Sequence, residues 1–355
     1  MLNKDKLKGF LSGIIFAAVL GVSALGASVL AAPVAKNISV VYDDIKIYMD
    51  GTLIQLKDGN GTAIKPFISK GVTYLPVAAI GRALDKEVSW EGNTKSIYIG
   101  KRPQPKEVTV SNVDELFAAL GTDKNIKLKP GTYNLSDLKQ GYVDSKNISW
   151  EEVYDGNELV LKGISDLTIE GLGDEPVEIV VEPRYADVLT FLNCNNISIK
   201  NVKAGHTIEK GQCTGGVFNF DSSKGIAISD SILYGCGTYG IIANNTENLK
   251  LSDSIIEECT NGVMQISKCK NFEFSNSIFR KCESYGLFGF DTSTAVIFDK
   301  CEISENTAYN KNTDMIAMSL SSDIKFTDCK FKNNTLFNLN RELLPDIDFT
   351  GTTFE

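Results

Sequence analysis

From residue 226 onward the chain repeats itself at a nearly constant pitch, and this constrains its fold more than any other feature. Ile226, Ile228, Asp230, Ser231 and Leu233 return as Leu249, Leu251, Asp253, Ser254 and Ile256, and again as Phe272, Phe274, Asn276, Ser277 and Phe279, each set displaced by 23 residues. Val296, Phe298, Lys300, Cys301 and Ile303 come 24 residues later, and Ile324, Phe326, Asp328, Cys329 and Phe331 a further 28. Ile197, Ile199, Asn201 and Val202 are an earlier copy. Two apolar residues two apart form one face of a strand. The Asn or Asp makes a sharp turn because it tolerates a left-handed backbone, and the small residue and next apolar one re-enter the core. A second strand per repeat opens at or after Gly216, Gly240, Gly262 or Gly286. Such a repeat cannot bury its apolar face alone, so the repeats must stack as coils with strands about 4.8 Å apart. Roughly nine or ten coils fit the available length.

Residues 107–135 read as a short amphipathic helix over 113–120, then a strand containing Ile126 and Leu128 that stops at Pro130 and Gly131. This helical cap, with the repeats behind it, resembles the right-handed parallel β-helix proteins of the pectate lyase (pectin lyase-like) type. The resemblance implies polysaccharide binding in an open groove along one sheet, walled by insertions between coils. Specificity in such a fold resides in outward side chains and loops, so the fold names no substrate.

The start of the chain has a different character. Lys4, Lys6 and Lys8 precede an uncharged stretch over 9–35 that reaches Val29, Leu30, Ala31 and Ala32, the shape of a Sec signal peptide cut after Ala31. The same stretch is long enough for a retained membrane anchor. With no cysteine near it, a lipid-attached form is not expected, and the expected location is secreted or extracellular at the cell surface. Residues 36–100 alternate short strands with Asp-Gly and Asn-Gly turns and place one helix at 77–84. Tyr74, Leu75, Pro76, Val77, Ala78 and Ala79, then Leu84 and the run Val88, Ser89, Trp90, Glu91, Gly92, resemble the stalk domains of exported bacterial proteins called copper amine oxidase N-terminal-like. Copper is nevertheless not expected, because the segment has no histidine or cysteine and copper prefers imidazole and sulfur. Residues 101–106, with Pro103 and Pro105, read as a stiff linker. The fold class is therefore mostly β: a small α+β stalk-like domain followed by a parallel β-helix over 107–355.

Charge separates the same two regions. The chain has 36 Lys and Arg against 45 Asp and Glu, net −9. Residues 36–102 carry ten against seven, whereas 103–355 carry 23 against 37, a net −14. That balance argues against a grip on nucleic acid backbones and against an unbridged polyanionic substrate. The positive stalk suits attachment to anionic wall polymers or a ligand-free spacer. No cofactor is expected, and the chain is expected to be a monomer.

All eight cysteines lie beyond residue 193, and Cys213, Cys236, Cys259 and Cys282 are spaced by 23. They should form one column. Adjacent members would stand near the coil spacing of about 4.8 Å, within reach of a disulfide, but parallel side chains suit its torsion poorly. A buried thiol ladder, one or two vertical disulfides, and a metal or redox role remain as readings. Cys301 and Cys329 share the column of Ser231, Ser254 and Ser277, whereas Cys194 and Cys269 have no evident column.

The one histidine, His206, rules out a multi-histidine metal site, and no metal site is expected. It lies in an apparent insertion over 204–215 with Glu209 and Lys210. Arg184, Tyr185 and Asp187 precede the equivalent strand of one neighbouring coil, Tyr234 and Tyr239 that of the other, so the three segments should line one edge. Lyase or epimerase chemistry on a uronic acid polymer needs a base for the C5 proton and a cation for the carboxylate, roles open to His206, Tyr234, Tyr239, Lys210 and Arg184. A glycosidase needs paired carboxylates, for which Asp187, Glu209 and Asp221 are available. The candidate catalytic set is His206, Tyr234, Arg184 and Asp187; the candidate binding set is Glu209, Lys210, Tyr239, Asn219 and Gln265. A His206 buried with one backbone partner would weaken the enzyme reading. Calcium-binding Asp clusters, successive Lys and Arg pairs and an Asp-Pro-His-Asp motif are absent from the strand faces. Three functions stand: a glycan-binding surface module first, a polysaccharide lyase, epimerase or hydrolase second, a surface spacer third.

Overall fold

A computed structural model describes residues 37–91, 96–138, 143–209, 214–235, 238–319, 323–339 and 347–355. The leader over 1–31 lies outside them, as do Lys210, Cys213 and Cys236. Packing divides the chain into two units, Met1–Lys86 and Glu87–Glu355. Among the described residues no helix is long and apolar enough to cross a membrane.

In the first unit Ile47–Met49 pairs antiparallel with Thr52–Ile54, and Phe67–Ser69 with Val72–Tyr74. Both hairpins turn through two positive-φ residues, Asp50 and Gly51 in one and Lys70 and Gly71 in the other. That is the mirror-image turn that an x-Gly pair favours. The helix Val77–Ala83 follows Pro76.

The second unit opens with the hairpin Val88–Glu91 and Ser96–Ile99 and continues into the strand Lys106–Val110. The helix Val113–Ala119 is capped reciprocally: Asn112 Oδ1 accepts from Glu115 N at 2.9 Å, and Glu115 Oε2 accepts from Ser111 N at 2.8 Å. Its Leu116 and Ala119 are buried against the first coil.

Three long sheets then build a parallel β-helix. Each coil runs through sheet A, sheet B and sheet C and returns by a loop. Sheet A orders Ile148–Val153, Gly156–Lys162, Leu189–Leu192, Phe218–Asp221, Tyr239–Asn244, Gly262–Ser267, Phe288–Asp291 and Ile316–Ser319, with an antiparallel first pair. Among the described residues seven coils contribute to all three sheets, with a partial coil at each end. Alternate residues point inward. In sheet B, Ile126, Ile169, Ile199, Ile228, Leu251, Phe274, Phe298 and Phe326 are in register and at most 1% exposed. The last three rings stack at 4.6 and 4.4 Å.

The turn from sheet B to sheet C is as expected: Asn201, Asp230, Asp253, Asn276, Lys300 and Asp328 have φ between 48° and 54°. Asn201 is followed by Val202, but four of the later turns are followed by a small residue whose side chain accepts a backbone N–H of the coil before it. Ser231, Ser254 and Ser277 Oγ accept from Val202, Ser231 and Ser254 N at 3.2, 3.1 and 3.2 Å, and Cys329 Sγ from Cys301 N at 3.4 Å.

Three expectations change. Cys194 and Cys269 do belong to a column, at the turn from sheet A to sheet B, with Ser223, Thr246 and Ser293; Cys194 N donates to Ser223 Oγ and Cys269 N to Ser293 Oγ. Sheet A pairs Phe218, Ile241, Met264 and Phe288, so Gly216, Gly262 and Gly286 share a column with Tyr239, and Gly240 is one residue out of register with them. The outward column is Thr190, Asn219, Ile242, Gln265, Gly289 and Ala317, where alignment on the glycines matches Asn219 to Ala243. Finally, His206 is not in an insertion: it ends the sheet C strand Val202–His206, paired with Val181.

Candidate functional site

The outer face of sheet A lies beside the returning loops, so outward strand residues and loop residues meet there. Asp187 ends the loop before Leu189–Leu192 and is 7% exposed. Its Oδ1 accepts from Gly216 N at 2.5 Å and its Oδ2 from Asn219 Nδ2 at 2.8 Å, both in the next coil. Its own N–H donates to Glu158 Oε2, in the preceding coil, at 2.9 Å. The Thr190 hydroxyl lies 2.7 Å from Glu158 Oε1 and 3.3 Å from Asp187 Oδ2, so the two carboxyl groups flank one O–H. Burial first, then the charge of Asp187, pushes the Glu158 carboxyl up to about 7. Glu158 therefore takes up a proton close to neutral pH.

The loop that carries Asp187 is clamped along its length. Asp155 accepts from Arg184 N at 2.7 Å and from Tyr185 N at 3.2 Å. His206 Nε2 lies 2.9 Å from Ala186 O, so Nε2 carries the proton and donates. His206 is 3% exposed, and burial holds its pKa below the ordinary value. Its Nδ1 has no hydrogen-bond partner among the described residues. A shielded imidazole with one backbone partner is a poor general base for a bound sugar, which weakens the enzyme reading built on His206. Arg184 is half-buried, with Nε unpartnered.

The sequence candidates thus separate. Asp187, Asn219 and Gln265 belong to the sheet A face, with Gln265 two coils beyond Asn219 and packed over Gly289, where a Cβ would stand 2.2 Å from Gln265 Oε1. His206, Tyr234 and Glu209 line a cleft of about 440 Å³ with Glu178, Thr207 and Glu258 at the end of sheet C. Tyr234 lies across Gly205, where a Cβ would stand 2.6 Å from its ring, and Lys203 Nζ is 5.0 Å from the ring centroid. Tyr239 Oη accepts from Asn261 Nδ2 at 3.1 Å. Lys210 lies outside the described residues.

Sequence reasoning missed Glu158, Thr190 and Asp155. The signal for Glu158 was present: in GNELVLK it alternates outward with respect to the buried Leu159 and Leu161. Tyrosines pair in the loops before sheet A strands, the exposed Tyr154 with the half-buried Tyr185 at 5.1 Å and Tyr285 with Tyr309 at 4.8 Å.

The cysteines stand elsewhere. Cys259 and Cys282 are fully buried free thiols at the turn from sheet C into the returning loop, in the column continued by Asn306 and Asn334. All six described cysteines are free and occupy coil corners. Burial pushes the Cys194 and Cys269 thiols up to about 11. Among the described residues no three His, Cys, Asp or Glu side chains gather as metal ligands.

Comparison with known proteins agrees with the fold. Residues 20–99 and 57–114 match the copper amine oxidase N-terminal domain. No curated protein matches the chain. Among solved structures, a pectate lyase from Paenibacillus sp. 0602 is similar at TM-score 0.49 and 10% identity, over 64% of this chain and 71% of that one. PfbA, a surface adhesin of Streptococcus pneumoniae, is similar at TM-score 0.42 and 11% identity, over 66% and 63%. Residues 215–343 match the right handed beta helix region, and the second unit is a right-handed parallel β-helix.

Proposed function

We propose that this is an exported, cell-surface or secreted protein whose β-helix binds a polysaccharide along the outer face of sheet A, the first unit acting as its stalk. The observation that carries the reading is the face itself. Asp221, Asn244, Ser267 and Asp291 form a column of hydrogen-bonding side chains in register, Asn219 and Gln265 stand in the neighbouring outward column on either side of Ile242, and two tyrosine pairs lie in the loops before sheet A strands. A ladder of polar groups at a fixed spacing suits a ligand that is itself a repeating polymer, and aromatic faces suit sugar rings. Export is supported by the basic and then apolar leader and by the stalk match. A glycan array probed with the full chain and with an Asn219→Ala, Gln265→Ala variant tests this. Signal on a polysaccharide class that drops about tenfold in the variant is expected; no signal on any glycan overturns the reading.

One observation favours a second reading, glycoside hydrolysis. Glu158, whose carboxyl is pushed up to about 7, stands beside the Asp187 carboxyl, and acid–base cleavage of a glycosidic bond uses two carboxyl groups of which one holds a proton. New reducing ends produced by the wild-type chain and lost in Glu158→Gln are its expected mark.

A further inference from the structure

Two side chains stand out from the surface more than any other large apolar group among the described residues: Tyr154, 88% exposed, and Tyr285, 68% exposed. Each lies against a second, less exposed tyrosine in a loop before a sheet A strand. Tyr154 meets Tyr185 with ring centroids 5.1 Å apart and planes at 51°, and Tyr285 meets Tyr309 at 4.8 Å and 47°. The same tilted arrangement is thus built twice. In both pairs the inner tyrosine is fixed across coils. Tyr185 N donates to Asp155 Oδ1 at 3.2 Å, which ties it to the turn that carries Tyr154, and Tyr309 Oη donates to Thr260 O at 2.6 Å, two coils back. The outer rings leave most of their surface in water, which is unfavourable unless something covers them, and the fixed ring beside each holds it ready for a partner at little further cost in entropy.

The order of sheet A sets the distance between the pairs. Tyr154 and Tyr185 lead into Gly156–Lys162 and Leu189–Leu192, its second and third strands, and Tyr285 and Tyr309 lead into Phe288–Asp291 and Ile316–Ser319, its seventh and eighth. The pairs are therefore five coils apart, about 24 Å along the axis at about 4.8 Å per coil. On the strands between them the outward column carries the amides of Asn219 and Gln265, which both donate to and accept from hydroxyl groups. The net charge of −14 over residues 103–355 disfavours a polyanion on this surface.

We infer that the two tyrosine pairs are the ends of one binding track, and that its glycan is a neutral, extended β-1,4-linked chain of glucose-type rings long enough to stack on both. This rests on the glycan reading above and adds the class and the least length of the ligand. In such a chain the ring substituents are equatorial, so each ring offers flat C–H faces to an aromatic group and hydroxyls at its rim. The chain advances by roughly one coil spacing per ring, and about six rings reach from one pair to the other. A shorter chain touches one pair and gains nothing from the second. A longer one holds both, because the second contact forms within the same complex at high effective concentration.

Calorimetric titration of the full chain tests it, with β-1,4-linked glucose oligosaccharides of two, four and six residues, the corresponding N-acetylglucosamine set, and polygalacturonate with and without Ca²⁺. In one of the two neutral sets, affinity is expected to change little from two residues to four and to rise at least about tenfold at six. Tyr154→Ala and Tyr285→Ala, each alone, should remove that step and leave tetramer binding within about twofold, since one pair remains intact in each. Both positions are exposed, so the two variants should melt as the wild type does. A step that survives either substitution, a steady gain per residue with no step, or a preference for polygalacturonate overturns the inference and leaves glycan binding standing. If none of these oligosaccharides binds while a glycan array gives a signal, the inference alone falls; if neither assay gives a signal, both readings fall.

Discussion

At the scale of single residues, the loop carrying Asp187 is held by groups whose protonation runs in opposite directions. The Glu158 carboxyl titrates near 7 in the fold, against about 4.5 for an ordinary glutamate, because burial and the charge of Asp187 favour its neutral form. The folded state therefore binds the extra proton between those values. Its contribution is fully present below about 4.5 and is lost as pH rises to about 7. His206 is the reverse: burial holds it below its ordinary value, so the fold favours the neutral ring and loses stability as pH falls through the range below about 6.5. Glu158→Gln keeps a hydrogen-bonding group but cannot ionise. We expect thermal melts of wild type to weaken relative to this variant between pH 4.5 and 8, by about 2 kcal/mol once the solvent reaching Glu158 is allowed for. Parallel curves across that range would show that the Glu158 carboxyl is not raised in the fold. Neither group's role was legible in the sequence. Val160 pairs with Thr190, 30 residues on, in a stretch before the strict 23-residue period begins, so the contact of Glu158 with Asp187 comes from coil stacking that no repeat alignment displays.

At the scale of elements, the corners made sheets B and C readable and left sheet A obscure. One left-handed residue joins sheet B to sheet C in every copy, so the apolar pairs on either side keep a constant offset. Asp230 stands at φ 52°. Asp230→Val should cost about 1–2 kcal/mol, because a β-branched residue resists that conformation, whereas Asp230→Gly should be nearly neutral. Denaturant midpoints of the two variants check this. The returning loops, by contrast, vary in length, and one of the glycines beside them is displaced against the ladder: Gly262 pairs with Tyr239, not with Gly240. Alignment on glycine therefore slips by one residue at that coil, and in a strand one residue exchanges the inward and outward faces. The small corner residues escaped a reading by type, since Ser223, Thr246, Cys269 and Ser293 share a function and not an identity. They accept a backbone N–H that would otherwise be buried unpaired. Ser254→Ala, which orphans the N–H of Ser231, should cost about 1–3 kcal/mol, and Cys301→Ser should be tolerated because Ser277 already fills that position one coil earlier.

At the scale of the whole molecule, apolar burial is distributed very unequally. Leu56, Pro66 and Ala79 are the buried apolar side chains of the first unit among the described residues, whereas the second has one continuous core from Val110 to Ile347 that includes the stacked Phe274, Phe298 and Phe326. Stability from removing apolar surface scales with the area buried, so the first unit has little to offset the entropy of ordering its chain. Differential scanning calorimetry of the full chain should show a small transition at low temperature and a large one well above it. Phe298→Ala distinguishes them. Deleting a buried ring from the middle of a stacked column removes about 3–5 kcal/mol from the β-helix. Phe298 lies within the β-helix core, so only the upper transition should fall. A single transition that moves as a whole in Phe298→Ala would instead mean that the two units unfold as one cooperative body.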